Sequence, residues 1–403
     1  MNTNGIINQG NIEKIKKVMQ RAAGGEDITC AFLGGSITQG SLASTDKTCY
    51  AYLVYSWWRD KFLKSNVKYV NAGIGGTTSQ FGVSRVRQHV LEQKPDFLLT
   101  EFAVNDENDD FFKETYEGLV RVILKDASKP ALLLMNNAWF DTGKSAEEVH
   151  LCIARHYDIP MVSMRKTVFA GIQSGELVKE DLSPDMLHPN DAGHELVAKV
   201  VIDFLERVYD ETFKGKEAFE SALDDSTGGG DVPGKKNMGA ACDCAAIEEP
   251  LKIREPLTLN RYENSVRIKR YNMHEYEARL EGFVCDEHEK KDFLDIYSNG
   301  FTASAVGDRI SFYANCTEIA VQYRKTINKP SPVAKLVIDG DEKNAVILDS
   351  NFEETWGDCL YIETAAKGLL NEHHKIDIEI VSATPEDKVP FYLNSVIVSG
   401  GNN

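Results

Sequence analysis

Four short segments of the chain carry the residue types that acyl transfer requires. In Phe32-Leu-Gly-Gly-Ser-Ile-Thr-Gln-Gly40 a hydrophobic strand breaks into two glycines, a serine and a polar turn. A rigid strand can aim Ser36 as a nucleophile, and the glycines let a substrate carbonyl and backbone N–H groups approach it. Asp185-Met-Leu-His188-Pro-Asn190 offers a base and a group to orient it within one loop. The proline after His188 disfavours helix there, so imidazole and carboxylate can both point at a strand end. Asn71-Ala-Gly-Ile-Gly-Gly-Thr-Thr78 has glycines that leave backbone N–H groups facing a ligand. Glu101-Phe-Ala-Val-Asn105-Asp106 ends a strand with an amide that can donate to an oxyanion without adding charge.

Each segment alone also has a plainer reading. Gly-Gly-Ser is common in turns, and Asp185 after Pro184 suits a turn that leaves His188 on the surface. Asn105-Asp106 suits a helix cap or an Asx-turn. The glycine loop could cradle phosphate, but no Lys-Ser or Lys-Thr follows it and no GxGxxG frame is present.

The elements needed to position these residues are legible in the first half. Strands are expected at Thr29–Leu33, Lys68–Val70, Phe97–Phe102, Ala131–Met135 and Pro160–Ser163. Helices are expected at Ile12–Arg21, Tyr50–Leu63, Gln80–Gln93, Tyr116–Lys125, Ala146–Tyr157 and Ala192–Tyr209. This alternation implies an α/β three-layer sandwich with a parallel sheet, flavodoxin-like, whose ligands bind at the carboxyl ends of its strands. Ser36, Asn71 and Asn105 fall there. Composition shifts after residue 212, where 213–250 carries Gly228-Gly-Gly230, Pro233-Gly234 and mixed charge without a period, as a linker or excursion would. Residues 251–403 then show short alternating runs such as Arg309–Ala314, Glu318–Arg324 and Lys375–Val381, the pattern of a jelly-roll-like β-sandwich. Residues 1–212 are thus the expected catalytic domain.

A net charge of −17 disfavours nucleic acid or an anionic membrane as partner. No apolar run is long enough to span a bilayer. The N-terminus has no basic segment leading into an apolar one, so the eight cysteines are expected as reduced thiols of a cytoplasmic enzyme. Cys242-Asp-Cys244 lacks a second pair at zinc-finger spacing, and neither metal nor cofactor is expected. Subunit number is left open, a homodimer being compatible with the sequence.

In this order the four segments resemble the SGNH (GDSL-like) hydrolases over roughly residues 28–208. The resemblance implies Ser36 as nucleophile, His188 as base and Asp185 as its orienter. It implies an oxyanion hole of the Ser36 N–H, Gly76 and Asn105, with Asn71 bracing the glycine loop. Two positions depart from the family's pattern: Gly35 stands where aspartate is frequent, and Ala103 where glycine usually precedes Asn-Asp. Both shift the likeness from lipases towards the Gly-Gly-Ser-Ile-Thr branch, rich in carbohydrate esterases. A hydrolase followed by a β-sandwich is similar to acetylesterases that deacetylate hemicellulose oligosaccharides, mannan and xylan among them. That similarity implies an acetylated oligosaccharide as substrate. Trp356-Gly357-Asp358 would supply a stacking aromatic and a hydroxyl acceptor, although the sandwich core is the more expected place for Trp356. The acidic residues Asp106, Glu107, Asp109 and Asp110 are expected as a solvated rim, and His194 as a packing or capping residue. The alternatives are a short-chain esterase or thioesterase without sugar preference, and a non-catalytic carbohydrate-binding protein.

Overall fold

Burial decides which side of the first sheet each residue faces. In β2 (Ile28–Gly34) Cys30 and Phe32 pack with one layer of helices, while Ala31 and Leu33 pack with the other. A strand covered on both faces reads as a nearly continuous apolar run, which is why β2 is visible in the sequence. The computed structural model describes residues 3–224, 253–288 and 295–401, with side chains in 215–224 excepted.

The sheet comprises β1 (Ile6–Asn8), β2, β3 (Val67–Gly73), β4 (Phe97–Glu101), β5 (Ala131–Asn136) and β6 (Met161–Ser163), in the order β1-β6-β5-β4-β2-β3. All pairings are parallel except that of β1, an antiparallel edge strand on β6. Helices α1 (Glu13–Gly24), α3 (Tyr50–Lys61) and α8 (Asp191–Asp224) cover one face; the four-residue α2 (Ser36–Gln39) caps the end of β2. Helices α4 (Ser79–His89), α5 (Asp110–Lys125) and α6 (Glu147–Tyr157) cover the other. From β2 the chain moves outward to β3, then crosses back over β2 to β4. The crevice between the carboxyl ends of β2 and β4 is therefore a topological switch point, where open α/β sheets bind ligands.

The second half forms two packed antiparallel sheets. Its strands are β7 (Val266–Ile268), β8 (Arg279–Glu281), β9 (Val284–Cys285), β10 (Phe301–Ala303), β11 (Arg309–Cys316) and β12 (Glu318–Lys325), followed by β13 (Val333–Ile338), β14 (Val346–Asp349), β15 (Cys359–Ala366), β16 (Glu372–Ser382) and β17 (Phe391–Ser399). One sheet runs β15-β12-β17-β10-β9 with β7 on β17; the other runs β14-β13-β16-β11-β8. Inward residues such as Phe301, Phe312, Val321, Ile376 and Leu393 form the core between them.

The expected linker needs correction at its start. α8 continues through 213–224 as helix, and the remainder to 250 lies outside the described residues. Residues 253–265, without regular structure, cross α5 and α6 before the sandwich begins. There the Glu117 carboxylate accepts the N–H groups of Leu257 (2.6 Å) and Thr258 (2.8 Å). Arg261 bridges Glu114 of α5 (2.7 Å) and Glu318 of β12 (2.8 Å). A small apolar cluster closes the seam: Ile74 and Phe81 from the hydrolase-like half against Ala320, Leu360 and Ile397 of the sandwich.

Candidate active site

The strand-to-helix turn after β2 sets Ser36 as the first residue of α2, nearly buried at 7% exposure. A first helical residue has no intrahelical acceptor for its N–H, so that donor is available to a ligand. The Ser36 hydroxyl lies 2.8 Å from His188 Nε2, and His188 Nδ1 lies 2.7 Å from Asp185 Oδ2. The second carboxylate oxygen, Oδ1, accepts the N–H groups of His188 (2.7 Å) and Leu187 (3.0 Å) and the Ser183 hydroxyl (3.2 Å). Partial burial works to raise the Asp185 pKa, but these hydrogen bonds outweigh it and hold the carboxyl below its ordinary value. The loop itself is pinned: Phe140 N–H donates to Met186 O at 2.9 Å, and Asn190 Oδ1 accepts from Gly193 N–H at 3.1 Å at the start of α8.

The residues expected to donate to an oxyanion lie at the ends of β3 and β4. Asn71 Nδ2 donates to Thr38 O of α2 (2.8 Å), and its Oδ1 accepts from Gly73 N–H (2.9 Å), so it ties the nucleophile turn to the glycine loop. Gly75 N–H is occupied by Gln39 Oε1 at 2.6 Å. Gly76 adopts a φ of +68°, which favours glycine, and among the described residues its N–H meets no acceptor. Asn105 Oδ1 faces Gly35, standing 2.8 Å from the point where a Cβ on that residue would lie. That oxygen is buried without a partner, and the amide Nδ2 donates to nothing among the described residues. Gly35 thus makes the space that Asn105 occupies, a reason for glycine where an aspartate is frequent in the resembling family.

Asp106 does not belong to a solvated rim. It is 2% exposed, accepts Ser79 N–H at 2.9 Å at the start of α4, and meets His150 Nε2 at 3.1 Å. His150 is buried, stacked on Tyr116 at 3.6 Å, with Nδ1 3.2 Å from Asn136. The pair of adjacent residues therefore splits its work: Asn105 faces the site, and Asp106 fastens the strand end to the helix that follows the glycine loop. Glu107, Asp109 and Asp110 are exposed as expected, with Asp109 capping α5 through Phe112 N–H (2.8 Å). Glu101, at the end of β4, is wholly buried, and burial pushes its carboxyl up to about 7 despite the N–H of Ala103 at 3.0 Å. His194 is a packing residue: Tyr50 N–H donates to its Nδ1 (3.3 Å), and burial lowers its pKa.

The second domain reaches this site. Cys359, the first residue of β15, places its sulfur 3.9 Å from where a Gly76 Cβ would stand, and Gln80 of α4 bonds Thr364 at 3.1 Å. Three residues before Cys359, Trp356 is 64% exposed with its ring edge against Phe352 at 5.1 Å. It is no part of the sandwich core. Asp358 holds its own domain together: Oδ1 accepts from the Thr326 hydroxyl (2.7 Å) and Ile327 N–H (3.2 Å).

Comparison with known proteins agrees with this arrangement. Residues 32–196 match the GDSL-like Lipase/Acylhydrolase family, a span that contains all four segments. Thioesterase 1/protease 1/lysophospholipase L1 of Escherichia coli (strain K12) is 26% identical over 177 residues, 42% of this chain and 79% of that protein. A two-domain esterase active on acetylated mannans, solved alone and with mannopentaose, is 42% identical across 99% of this chain and 98% of its own, with a TM-score of 0.86. A likeness of that extent takes in the sandwich, the seam and the hydrolase half together, and the chain belongs to the GDSL-like lipase/acylhydrolase family, the SGNH hydrolases.

Proposed function

We propose that the protein is a serine esterase that removes O-acetyl groups from carbohydrate, with acetylated mannan-type oligosaccharides as substrate. The observation that carries this reading is the unbroken chain Ser36–His188–Asp185 set beside a second domain that borders the glycine loop. The solved relative that acts on acetylated mannans shares both domains. In the reaction, His188 Nε2 takes the Ser36 proton as Oγ attacks the acetyl carbonyl. Asp185 keeps Nδ1 protonated and stabilises the imidazolium. The oxyanion is met by the N–H groups of Ser36 and Gly76 and by the Asn105 amide. His188 then gives its proton to the departing sugar oxygen, leaving acetyl-Ser36. Water, deprotonated by the same nitrogen, attacks that ester and releases acetate. Trp356 offers an exposed ring on the sandwich side, suited to packing on sugar C–H groups.

The test is acetate release from acetylated manno-oligosaccharides by the wild type and by Ser36→Ala, with p-nitrophenyl acetate and octanoate beside them. Ser36→Ala should abolish acyl-enzyme formation, and acetate release at the wild-type rate by that variant overturns the assignment. A marked preference for octanoate would instead favour a general esterase or thioesterase, the reading to which the E. coli relative points. We further place the enzyme in the cytoplasm, a reading supported by six described cysteines that are all free thiols. The Cys242–Cys244 pair lies outside the described residues.

A further inference from the structure

Gln39, the last residue of α2, carries an exposed side chain on a fixed backbone. Its N–H donates to Gly35 O at 3.0 Å, and Gly40, at a φ of +105°, ends the helix immediately after it. The preceding residue, Thr38, is held on two sides: its hydroxyl lies 2.7 Å from that of buried Tyr50, and its carbonyl accepts from Asn71 Nδ2 at 2.8 Å. Gly73 presses on the same turn, since a Cβ there would stand 2.1 Å from Gln39 N. The end of β3 therefore lies against the backbone of α2, and the Gln39 side chain reaches across to the glycine loop.

There Gln39 Oε1 accepts the Gly75 N–H at 2.6 Å. The point where a Gly75 Cβ would stand is 3.1 Å from that oxygen and 3.7 Å from Ser36 Cβ, which sets the amide beside the nucleophile. The loop is also tied at Ile74, whose N–H donates to Gly34 O at 3.1 Å and whose carbonyl accepts the Thr77 hydroxyl at 2.6 Å. Among the described residues, no side chain other than Gln39 hydrogen-bonds to Gly75 or Gly76. Two successive glycines leave the peptide between them free to turn, because neither has a Cβ to restrict it. A half-turn of that peptide would put the Gly75 carbonyl where the Gly76 N–H stands, and an acceptor there repels an oxyanion.

We propose that Gln39 is a positioning residue of the oxyanion hole: by holding the Gly75 N–H, it keeps the Gly75–Gly76 peptide turned so that the Gly76 N–H faces the reacting ester. The proposal rests on the esterase reading and on Gly76 as a donor. Gln39 acts through Gly76 and decides which of two adjacent glycine N–H groups is left for the substrate. The hydrogen bond spans from the helix that carries Ser36 to the loop that carries Gly76, so nucleophile and donor keep one spacing. A donor fixed before the reaction spends none of its stabilisation on reorienting.

The test compares Gln39→Met, which keeps the length of the side chain without its carbonyl, with Gln39→Glu, which keeps an acceptor. Both are assayed on p-nitrophenyl acetate in about 1 M sodium chloride, where the added charge is screened beyond ~3 Å. In Gln39→Met kcat should fall about ten- to hundredfold at an unchanged KM, between the value of one ordinary hydrogen bond and that of one oxyanion donor. Gln39→Glu should recover most of that loss, and the exposed position should leave both melting temperatures close to that of the wild type. Hydrogen exchange of the Gly75 amide, followed by NMR with isotope-labelled glycine, reads the tether without turnover. It should be slow in the wild type and Gln39→Glu and faster in Gln39→Met. Wild-type kcat in Gln39→Met, equal losses in the two variants, or unchanged Gly75 exchange in Gln39→Met overturns the proposal. Equal activity of Ser36→Ala and the wild type would instead overturn the esterase reading, and the proposal with it, whatever the Gly75 exchange shows.

Discussion

Replacing Gly35 by alanine isolates the oxyanion hole from the rest of the fold. The added methyl group would stand 2.8 Å from Asn105 Oδ1 and 3.4 Å from Thr77 O. Ordinary contact begins at 3.4 Å, so the amide must retreat by about 0.6 Å while the backbone at Thr77 need not move. Gly35 has a φ of −88°, outside the left-handed region that calls for glycine. Asn105 Oδ1 has no hydrogen bond to lose, so the displacement should cost little stability. The cost appears in the transition state. Loss of one oxyanion donor lowers kcat by ~10²–10³, and a shift approaching 1 Å of a catalytic group can cost ~10². Gly35→Ala should therefore fold, keep KM for p-nitrophenyl acetate, and lose about 10² in kcat.

The double variant makes this sharper. If the methyl acts only through the amide, Gly35→Ala added to Asn105→Ala should lower kcat no further, a coupling read from the double-mutant cycle. Gly34→Ala is the contrast, because there the methyl would meet the Glu101 carbonyl and the Thr38 side chain, and the damage should appear in folding. Steady-state kinetics with circular dichroism suffices for all four proteins. Wild-type kcat in Gly35→Ala, or strictly additive losses in the double variant, would refute the placement of Asn105 in the oxyanion hole.

Other consequences follow from the same geometry. Asp185→Asn keeps the loop's shape but should hold His188 in the wrong tautomer, for a fall in kcat of about 10⁴; a loss below tenfold would sink the orienting role. Since the folded Asp185 carboxyl lies below its unfolded value near 3.9, its stabilisation is present above that pH and lost as pH falls through the folded value. Glu101 has the opposite sign. Its carboxyl, raised to about 7, contributes stability below the unfolded value that is lost as pH rises towards 7, so Glu101→Gln should raise the melting temperature more at pH 8 than at pH 5. The limit is about 3 kcal/mol, and equal shifts at both pH values would contradict the burial argument. Arg261→Ala leaves Glu114 and Glu318 buried without their shared cation and should cost about 3 kcal/mol in urea unfolding, since each carboxylate keeps a backbone N–H. Trp356→Ala should raise KM for acetylated oligosaccharides but not for p-nitrophenyl acetate, and an equal change for both would remove the ring from substrate binding.

The strand ends were legible because chemistry and local structure coincide there: an apolar run stops, glycines follow, and a polar side chain appears. The parallel sheet was legible for a similar reason, since strands buried on both faces leave unbroken apolar runs. Asp106 was hidden by its neighbours. In Asp106-Glu107-Asn108-Asp109-Asp110 nothing marks one carboxylate as buried, because the group that accounts for it, His150, lies 44 residues away on α6. The strap of 253–265 has no periodicity because its partners are on α5 and α6, not within itself. β1 is three residues long, too short to show alternation, and takes its place by pairing with β6. Trp356 was expected in the core because a large aromatic is more often packed than exposed, and only the glycine and acids around it pointed outward; it is in fact exposed.

The sandwich and the oxyanion loop cannot be treated as separate parts. Ile74, immediately before Gly75-Gly76, and Phe81, two residues into α4, are both buried against Leu360, Ala320 and Ile397. At ~1.5–3 kcal/mol for each fully buried side chain, moving the glycine loop while the domains stay docked would forfeit part of that contact. Asp106 restrains the same segment from the other side, through Ser79 N–H at 2.9 Å. Gly76 is therefore clamped between the β4 end, which also supplies Asn105, and the strand that begins at Cys359. Preorganised donors are what an oxyanion hole requires, since reorienting them during the reaction would consume the stabilisation they provide. On the role proposed for Gly76, the sandwich would contribute to catalysis by holding that residue in place whether or not its own surface touches a sugar.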